Sequence, residues 1–310
     1  MSVVVATHNR VARIAGLLSG LLANVGDAEV VVVDDGSSDG TLDELRRLAT
    51  THPELRVVAA PNRGEWAARL EGARVATGEV VLMLDDDVLI EPGVLEAHAA
   101  HHAGADRLVV VGYMPLPPVP ADRHSWARDF YGRAYEGHCR AWEADPASVL
   151  QTLWAGHLSL RREHALALAP ALDGAPRGYH RDLDLGLCMA EAGLTGHFDR
   201  RLAGLHLLER SPEEFVRNAI SSGQGLATVH ARHRSASAST PVTKLPAGIR
   251  GLVLRPRTNA LGAWLILRAI ETLGRARRYR LQRGAARLLW RGVQARAYHG
   301  AAAIHVNMDS

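Results

Sequence analysis

The chain has 310 residues, of which 47% are hydrophobic and 22% charged, as in a globular protein with one large domain or one domain and an appendage. Its two cysteines, Cys139 and Cys188, lie far apart without neighbours at ligand spacing, which argues against a disulfide framework or a zinc site and favours a reducing cytoplasm. The net charge of +3 is uneven, because residues 244–310 hold thirteen basic and two acidic residues, so the tail carries +11 and the remainder −8.

Residues 2–113 alternate between strand-like and helix-like patterns. Apolar β-branched runs predict strands, and apolar residues at helical spacing between capping residues predict helices. The predicted strands are Ser2–Thr7, Glu29–Val33, Leu55–Ala59, Val80–Leu84 and Leu108–Val111, and the predicted helices cover 11–22, Thr41–Thr50, Glu65–Ala76 and a segment starting at Pro92. This rhythm predicts an α/β fold with a mostly parallel central sheet and helices on both faces.

The rhythm stops at Met114–Pro146, where prolines and aromatic residues predict an irregular connection. Beyond it the patterns predict strands at Leu150–Trp154 and Gly156–Leu160, helices near 162–169 and 181–192, a helix from Pro212 to about Arg232, a linker at 233–246, and two helices at about 259–274 and 279–296. The strand-like start of the chain predicts that no signal peptide is present, and the lack of an apolar run of about 20 residues predicts that no segment spans a membrane.

Three consecutive carboxylates, Asp85, Asp86 and Asp87, follow the apolar run Val80–Leu84. Carboxylates this close repel one another unless a cation offsets their charge. Carboxylate oxygens are the ligands that Mg²⁺ and Mn²⁺ prefer, and open α/β sheets bind ligands at the carboxyl ends of their strands. The triplet therefore predicts a divalent metal site and chemistry on a phosphorylated substrate.

Four motifs occur in a fixed order along the first half of the chain. They are Val4–Arg10 (VVATHNR), Val33–Thr41 (VDDGSSDGT), Asn62–Gly72 (NRG with Ala68, Arg69 and Gly72) and Leu84–Asp87 (LDDD). Together they resemble the family 2 glycosyltransferases of the GT-A fold, over roughly residues 2–210. The resemblance implies a Rossmann-like GT-A domain, a nucleotide-sugar donor and a DxD motif that binds Mn²⁺ or Mg²⁺.

Carried over residue by residue, the resemblance assigns the donor and metal contacts. Ala6 and His8 would line the nucleobase pocket, Asp35 would accept a hydrogen bond from the base, and Arg69 would reach the base or the pyrophosphate. In the triplet, Asp85 and Asp86 would hold the ribose and help to position the metal, Asp87 would ligate it, and His206 would supply a further ligand.

The second half of the chain carries the residues predicted to act on the acceptor. Tyr179–Gly186 resembles the Glu-Asp-x-Asp-Leu stretch of the family, so Asp182 is the predicted general base, although Arg181 stands where the family has Glu. A base that acts opposite the leaving group implies inversion at the sugar carbon. Trp154, Gly156 and His157 resemble the segment that lies under the donor sugar.

These expectations define four segments and one function. Residues 1–113 form the donor-binding half, 114–232 the acceptor-binding and catalytic half, 233–246 a linker, and 247–310 a basic helical extension. The predicted function is metal-dependent, inverting transfer of one sugar from a nucleoside-diphosphate sugar, with UDP favoured, to a hydroxyl of a small molecule, a glycan or a lipid-linked acceptor. A nucleotidyltransferase of related fold, which would need a Gly- and Lys-rich loop, and a non-catalytic nucleotide-sugar-binding scaffold remain open as alternatives.

Two further patterns have several interpretations. Arg280, Arg283, Arg287 and Arg291 share one stripe of the last predicted helix, opposite an apolar stripe. This helix could pack its apolar stripe on the acidic body, lie on an anionic membrane at the inner face of the cytoplasmic membrane, or contact an acceptor or another subunit, whereas a nucleic-acid role finds little support. The histidines at 98, 101 and 102 share helical spacing at a helix end with no carboxylate partner, which predicts a structural role.

Overall fold

The computed structural model describes residues 1–26, 28–118, 125–172, 178–208, 212–233 and 259–308. Within these residues the strands are β1 (Ser2–Thr7), β2 (Glu29–Asp35), β3 (Leu55–Ala60), β4 (Val80–Asp85), β5 (Val88–Ile90), β6 (Leu108–Tyr113), β7 (His157–Arg161) and β8 (Thr195–His206). They form one sheet in the order β3-β2-β1-β4-β7-β6-β8-β5.

Helices follow most of these strands in the chain. They are α1 (Val11–Leu22), α2 (Thr41–Ala49), α3 (Glu65–Val75), α4 (Val94–His102), α5 (Trp126–Ala144), α6 (Arg162–Ala167), α7 (Ala169–Leu172), α8 (Arg181–Glu191), α9 (Pro212–Arg232), α10 (Asn259–Arg275) and α11 (Tyr279–Met308). The elements from β1 to α3 alternate between strand and helix in the predicted order, which confirms the predicted rhythm.

The parallel part of the sheet brings the predicted motifs to one edge. β1 pairs in parallel with β2 and with β4, so Thr7 lies opposite Asp34 and Ala6 lies opposite Asp85. The four valines at 30–33 have no exposed surface, which fixes the register of the central strands by burial on both faces. As a result, the loops after β1, β2 and β4 leave the sheet side by side.

The remaining strands make the sheet mixed. β7 lies antiparallel between β4 and β6, β6 pairs in parallel with β8, and β5 pairs antiparallel with β8. Of the seven pairings among the described residues, four are parallel. The β5–β8 pair sets Val88 opposite His206, and this register returns the end of β8 to the loop that carries Asp87.

Two compact units account for the chain. The first comprises residues 1–117, 138–175 and 185–208, and holds the sheet; the second comprises 118–137, 176–184 and 209–310. The second unit has its own apolar core, whose buried members are Trp126, Ala127, Phe215, Ala219, Ile270, Ala286, Leu289 and Val293. Across the part of the chain that the structure describes, no helix combines the length and the apolar character needed to cross a bilayer.

Two sequence predictions of local structure are wrong. The connection predicted to be irregular contains the 19-residue helix α5, because its aromatic residues recur at helical spacing: Trp126, Phe130 and Phe215 pack together, with ring centroids 4.7 and 5.1 Å apart. The segment predicted as a strand from Leu150 is a single 3₁₀ turn, Leu150–Thr152. The linker predicted at 233–246 falls almost wholly outside the described residues, and α11 continues past the predicted end at 296.

A pair of glycine substitutions tests the packing of the parallel sheet. A Cβ at Gly72 of α3 would overlap Val4 and press on Val33, whereas a Cβ at Gly16 of α1 meets nothing within 4 Å. We expect Gly72→Ala to destabilise the fold by about 1–3 kcal/mol through overpacking. Gly16→Ala should stabilise it by up to about 1 kcal/mol through helix propensity.

Urea denaturation of both variants against the parent protein measures the two effects. Equal stability of Gly72→Ala and Gly16→Ala would contradict the close approach of α3 to the sheet.

Candidate functional site

The loops after β2 and β3 are joined by one carboxylate. Both oxygens of Asp35 accept hydrogen bonds from backbone amides, that of Arg63 at 2.9 Å and that of Gly64 at 2.8 Å. Asp35 is 5% exposed, and its acceptor capacity exceeds the two bonds that the loop uses. The carboxylate predicted to meet the base therefore also fixes the start of α3.

The loop after β1 is held against the loop after β2. His8 Nδ1 lies 3.0 Å from the carbonyl oxygen of Asp35, and the Asn9 amide donates to Ser37 Oγ at 2.9 Å. Asp39 accepts from the amide of Val11 at 3.1 Å and from that of Thr41 at 3.0 Å, so one side chain caps the starts of α1 and α2. These contacts place Ala6 and His8 at the same edge as Asp35, as the sequence predicted; their contact with a base stays a prediction.

Asp86 is held by two side chains from the loop after β1. Thr7 Oγ1 donates to it at 2.7 Å, and the Arg10 guanidinium approaches it at 3.1 Å. Burial raises the pKa of Asp86, while the charge of Arg10 opposes the rise. Sequence reasoning gave Thr7 and Arg10 no role, although both belong to the first motif, and their position at the strand end was the available signal.

The carboxylate of Asp85 contacts a buried guanidinium group. The guanidinium of Arg69, 1% exposed, contacts the Asp85 carboxylate, pairs with Glu65 at 2.8 Å, and donates to the carbonyl of Ala155 at 2.8 Å. Burial raises the pKa of Asp85 to about 7 even though Arg69 opposes it. Arg69 thus reaches the site through Asp85; its predicted contact with the base or the pyrophosphate stays a prediction.

Gly156 makes room for this carboxylate. A Cβ at Gly156 would overlap Asp85 and approach the Sδ of Met114 to 2.8 Å, and the carbonyl of Gly156 accepts from the Asp85 amide at 2.8 Å. Trp154, two residues earlier, is half-buried and packs on His138 with ring centroids 5.3 Å apart. The small residue predicted beneath the sugar therefore lies directly against the acid triplet.

Asp87 is joined to His206 from the end of β8. His206 Nε2 lies 3.2 Å from Asp87 Oδ1, and the amide of Leu207 donates to the Asp87 carbonyl at 2.7 Å. Burial alone would raise the pKa of Asp87, but the hydrogen bond and charge of His206 hold it below its usual value. One ligand atom each from Asp85, Asp87 and His206 lie within 4.8 Å of one another.

The donor set of this acid–histidine group fits a divalent cation. Two carboxylates and an imidazole are ligands that a divalent cation such as Mn²⁺ or Mg²⁺ can take. The raised pKa of Asp85 reflects burial among like charges, which a bound cation would offset. The residues present are thus able to hold the metal that the sequence predicted.

His157 lies in a buried polar cluster. Its Nε2 is 2.9 Å from His98 Nε2, and Ser159 Oγ lies 2.8 Å from both His98 Nδ1 and His102 Nε2. Burial lowers the pKa of His157 to about 3 and that of His102 to about 4, and it lowers that of His98 as well. Because His157 has no exposed surface, the structure argues against its predicted contact with an acceptor.

The histidines of α4 divide into two roles. His98 and His102 are buried and structural, as predicted. His101 differs, because its Nε2 lies 3.0 Å from Asp199 Oδ2, and the His197 ring lies tilted against it at a centroid distance of 4.9 Å, so the premise that these histidines lack a carboxylate partner is wrong. Asp199 is distant in sequence and invisible to a local pattern.

The predicted base, Asp182, belongs to the second unit. It is the second residue of α8, where the amino end of a helix stabilises a carboxylate. In the same unit Asp184 is buried and accepts from His233 at 2.8 Å, with Arg232 at 3.3 Å, which gives it a structural role. The catalytic role of Asp182 stays a prediction.

Comparisons with known proteins agree on one family. A sequence model of glycosyl transferase family 2 matches residues 2–157. Validoxylamine A glucosyltransferase of Streptomyces hygroscopicus subsp. jinggangensis is 36% identical over 140 residues, which cover 42% of this chain and 33% of that protein. An uncharacterized glycosyltransferase of Bacillus subtilis is 23% identical over 250 residues, 66% of this chain and 64% of the relative, so the chain spans less than two thirds of either.

Solved structures show the fold. A mannosyltransferase from Pyrobaculum calidifontis, in complex with GDP-Man and Mn²⁺, superposes with a TM-score of 0.59 at 20% identity, covering 94% of this chain and 85% of that one. S. aureus TarS 1-349 in complex with UDP-GlcNAc gives a TM-score of 0.50 at 18% identity, covering 96% and 91%. The chain therefore has the GT-A fold.

The acid–histidine group makes a direct prediction about metal binding. Asp87→Asn removes a ligand oxygen and should weaken Mn²⁺ binding by at least about 100-fold, because losing a partner that only orients a ligand already costs about 10–100-fold. Asp43→Asn is the matched control, since Asp43 is an exposed acid on α2 that pairs with Arg46. Electron paramagnetic resonance of free Mn²⁺ during titration gives both affinities, and similar affinities for the two variants would contradict the site.

The buried histidine cluster makes stability depend on pH. The folded pKa values of His98, His102 and His157 lie below the value of about 6.5 in the unfolded chain, so the unfolded state binds more protons as the pH falls. The free energy of unfolding should be fully present above pH 6.5 or so and fall below it by up to about 1.4 kcal/mol per pH unit for each histidine.

Thermal denaturation in the presence of a chelator, at pH values from neutral to about 5, tests this dependence, because the histidines of the unfolded chain titrate in that range. His102→Gln should show a shallower dependence, because one titrating group is gone. An equally steep dependence in that variant would remove His102 from the explanation.

Proposed function

The chain belongs to glycosyl transferase family 2, and from that membership we propose that it transfers one sugar from a nucleoside-diphosphate sugar to an acceptor nucleophile. The convergence of Asp85, Asp87 and His206 beside the loops after β1 and β2 carries the proposal. A metal-ligand set at that edge is what a donor with two adjacent phosphates requires.

The chain's own residues divide the work of holding the donor. Ala6, His8 and Asp35 bind the base, with Asp35 fixed in place by the amides of Arg63 and Gly64. Asp86, kept in place by Thr7 and Arg10, accepts from the ribose hydroxyls. Arg69 acts through Asp85, whose carboxylate it holds over Gly156.

Asp85, Asp87 and His206 would hold Mn²⁺ or Mg²⁺. When bound, the cation neutralises charge that develops on the departing nucleoside diphosphate. His206 positions Asp87 through the 3.2 Å contact, and Asp85 is positioned by Arg69 and by the hydrogen bond that its backbone amide donates to the Gly156 carbonyl.

Asp182 is the proposed general base, and this part rests on the sequence pattern Tyr179–Gly186. Its carboxylate would remove the proton of the acceptor as the nucleophile attacks the anomeric carbon, with inversion there. Arg181 in place of the family's Glu adds positive charge beside the base, which favours the ionised carboxylate.

The proposal for the donor has more support than the proposal for the acceptor. The solved neighbours hold GDP-Man and UDP-GlcNAc, so nucleoside-diphosphate sugars fit this fold. UDP is the favoured donor base, because an Asp35 oxygen can accept from the N–H of a uracil ring. The acceptor nucleophile we propose is a hydroxyl of a small molecule, a glycan or a lipid-linked molecule.

Hydrolysis of UDP-, GDP- and dTDP-sugars, with Mn²⁺ or with chelator, tests the reaction. Asp87→Ala should lower donor turnover by at least about 100-fold, because the metal and the phosphates lose a shared anchor. Once an acceptor is known, Asp182→Asn should lower transfer by about 10²–10⁴-fold while donor binding stays intact.

Arg133→Gln, in an exposed pair with Asp129, is a control that should keep full turnover. Full activity of Asp87→Ala in chelator would refute the metal role, and unchanged transfer by Asp182→Asn would refute the base.

A further inference from the structure

Seven arginines cluster where α10 ends and α11 begins. We name them the arginine corner: Arg275, Arg277, Arg278, Arg280, Arg283, Arg287 and Arg291. Residues 275–291 contain neither Asp nor Glu, so this stretch carries a charge of +7. The concentration of charge sets the corner apart from the other exposed arginines described.

The charges of the arginine corner are exposed and have no acidic partner among the described residues. Six of the seven arginines are exposed, and Arg283 is half-buried. Several exposed arginines elsewhere are paired, as Arg268 is with Glu271 at 3.3 Å and Arg47 with Glu44 at 2.7 Å. No corresponding ion pair forms at the corner within the described residues. Its exposed guanidinium groups therefore give this stretch of the surface a positive electrostatic potential.

Packing inside the second unit leaves this face uncovered. The opposite side of α11 is already used: Ala286, Leu289 and Val293 are buried against Phe215 and Ile270 of the unit's own core. The apolar stripe therefore packs on α9 and α10. The arginines at 280, 283, 287 and 291 follow a spacing of three and four residues, which places them along one other side of the helix.

The turn between the helices holds an arginine where the backbone favours glycine. Arg277 has φ 54°, and the amides of Arg277 and Arg278 close the end of α10 on the carbonyls of Gly274 at 3.0 Å and Leu273 at 2.8 Å. Glycine is the usual residue at this left-handed position, because an L side chain is disfavoured there. Arg277 therefore adds a charge to the corner at a position where glycine would fit the backbone better.

We propose that the arginine corner docks on a bilayer that contains anionic phospholipid. Guanidinium groups bind phosphate oxygens through paired hydrogen bonds, and basic residues near such a surface each strengthen attraction to it. Leu281, 61% exposed beside Arg280, offers an apolar side chain that enters the headgroup region.

A nucleic acid fits the corner less well than a bilayer does. Binding of single-stranded nucleic acid relies on exposed aromatic platforms on which bases stack. Here Trp290 packs on Phe215 and Phe130, with ring centroids 5.2 and 5.3 Å apart, inside the unit. An exposed leucine among arginines has no favourable site on a phosphate backbone.

Vesicle co-sedimentation of the full chain tests the proposal. The probes are vesicles of phosphatidylcholine alone, and of phosphatidylcholine and phosphatidylglycerol in equal parts. The protein should bind the mixed vesicles only, and added salt should weaken binding by screening. The triple variant Arg280→Gln, Arg283→Gln, Arg287→Gln should lower the partition coefficient by about 100-fold.

Two further variants separate this effect from net charge and from misfolding. Arg46→Gln, Arg47→Gln, Arg74→Gln removes three arginines that pair with acids on their own helices, and it should bind like the parent protein. Arg277→Gly should keep or raise the melting temperature while weakening the partition coefficient about 5-fold.

Binding to neutral vesicles alone, or undiminished binding of the triple variant, would overturn the proposal. Tighter binding to single-stranded RNA than to the mixed vesicles, lost in the same variants, would overturn it as well.

Discussion

The structure depends on how three adjacent carboxylates are held at the end of one buried strand. Asp85, Asp86 and Asp87 are too close to stay ionised without compensation. A different basic side chain compensates each of them: Arg69 contacts Asp85, Arg10 contacts Asp86, and His206 contacts Asp87. The compensating groups come from α3, from the loop after β1 and from the end of β8, so the triplet ties distant parts of the fold to one edge.

This arrangement also explains features that are otherwise unconnected. Gly156 is small because Asp85 occupies the space above it, and the next residue, His157, is buried in the cluster with His98 and Ser159. The buried histidines are held neutral, so they add no charge behind the acids. β7 pairs antiparallel with β4, with His157 opposite Leu84, and this register sets Gly156 against the triplet.

Sequence reasoning succeeded where the determinants are local. The apolar composition of the runs that form β1, β2 and β4 predicts these strands. The acids that follow β2 and β4 share an edge because the strands are parallel to β1. The predicted ligands Asp87 and His206 lie close together although His206 comes from a distant strand, and Asp85, which was predicted to hold the ribose, lies with them. The reasoning failed where partners are distant: α5 is stabilised by Phe215, the His101 partner is Asp199, and the burial of His157 depends on His98.

The central claim is that the strand-end acids hold a divalent cation for a nucleoside-diphosphate donor. Crystals soaked with Mn²⁺ and a nucleoside diphosphate, measured at the manganese absorption edge, test it most directly. We expect an anomalous manganese peak at coordination distance from Asp85, Asp87 or His206, next to the diphosphate. A peak confined to the group of His101, His197 and Asp199, or a diphosphate bound away from the triplet, would contradict it.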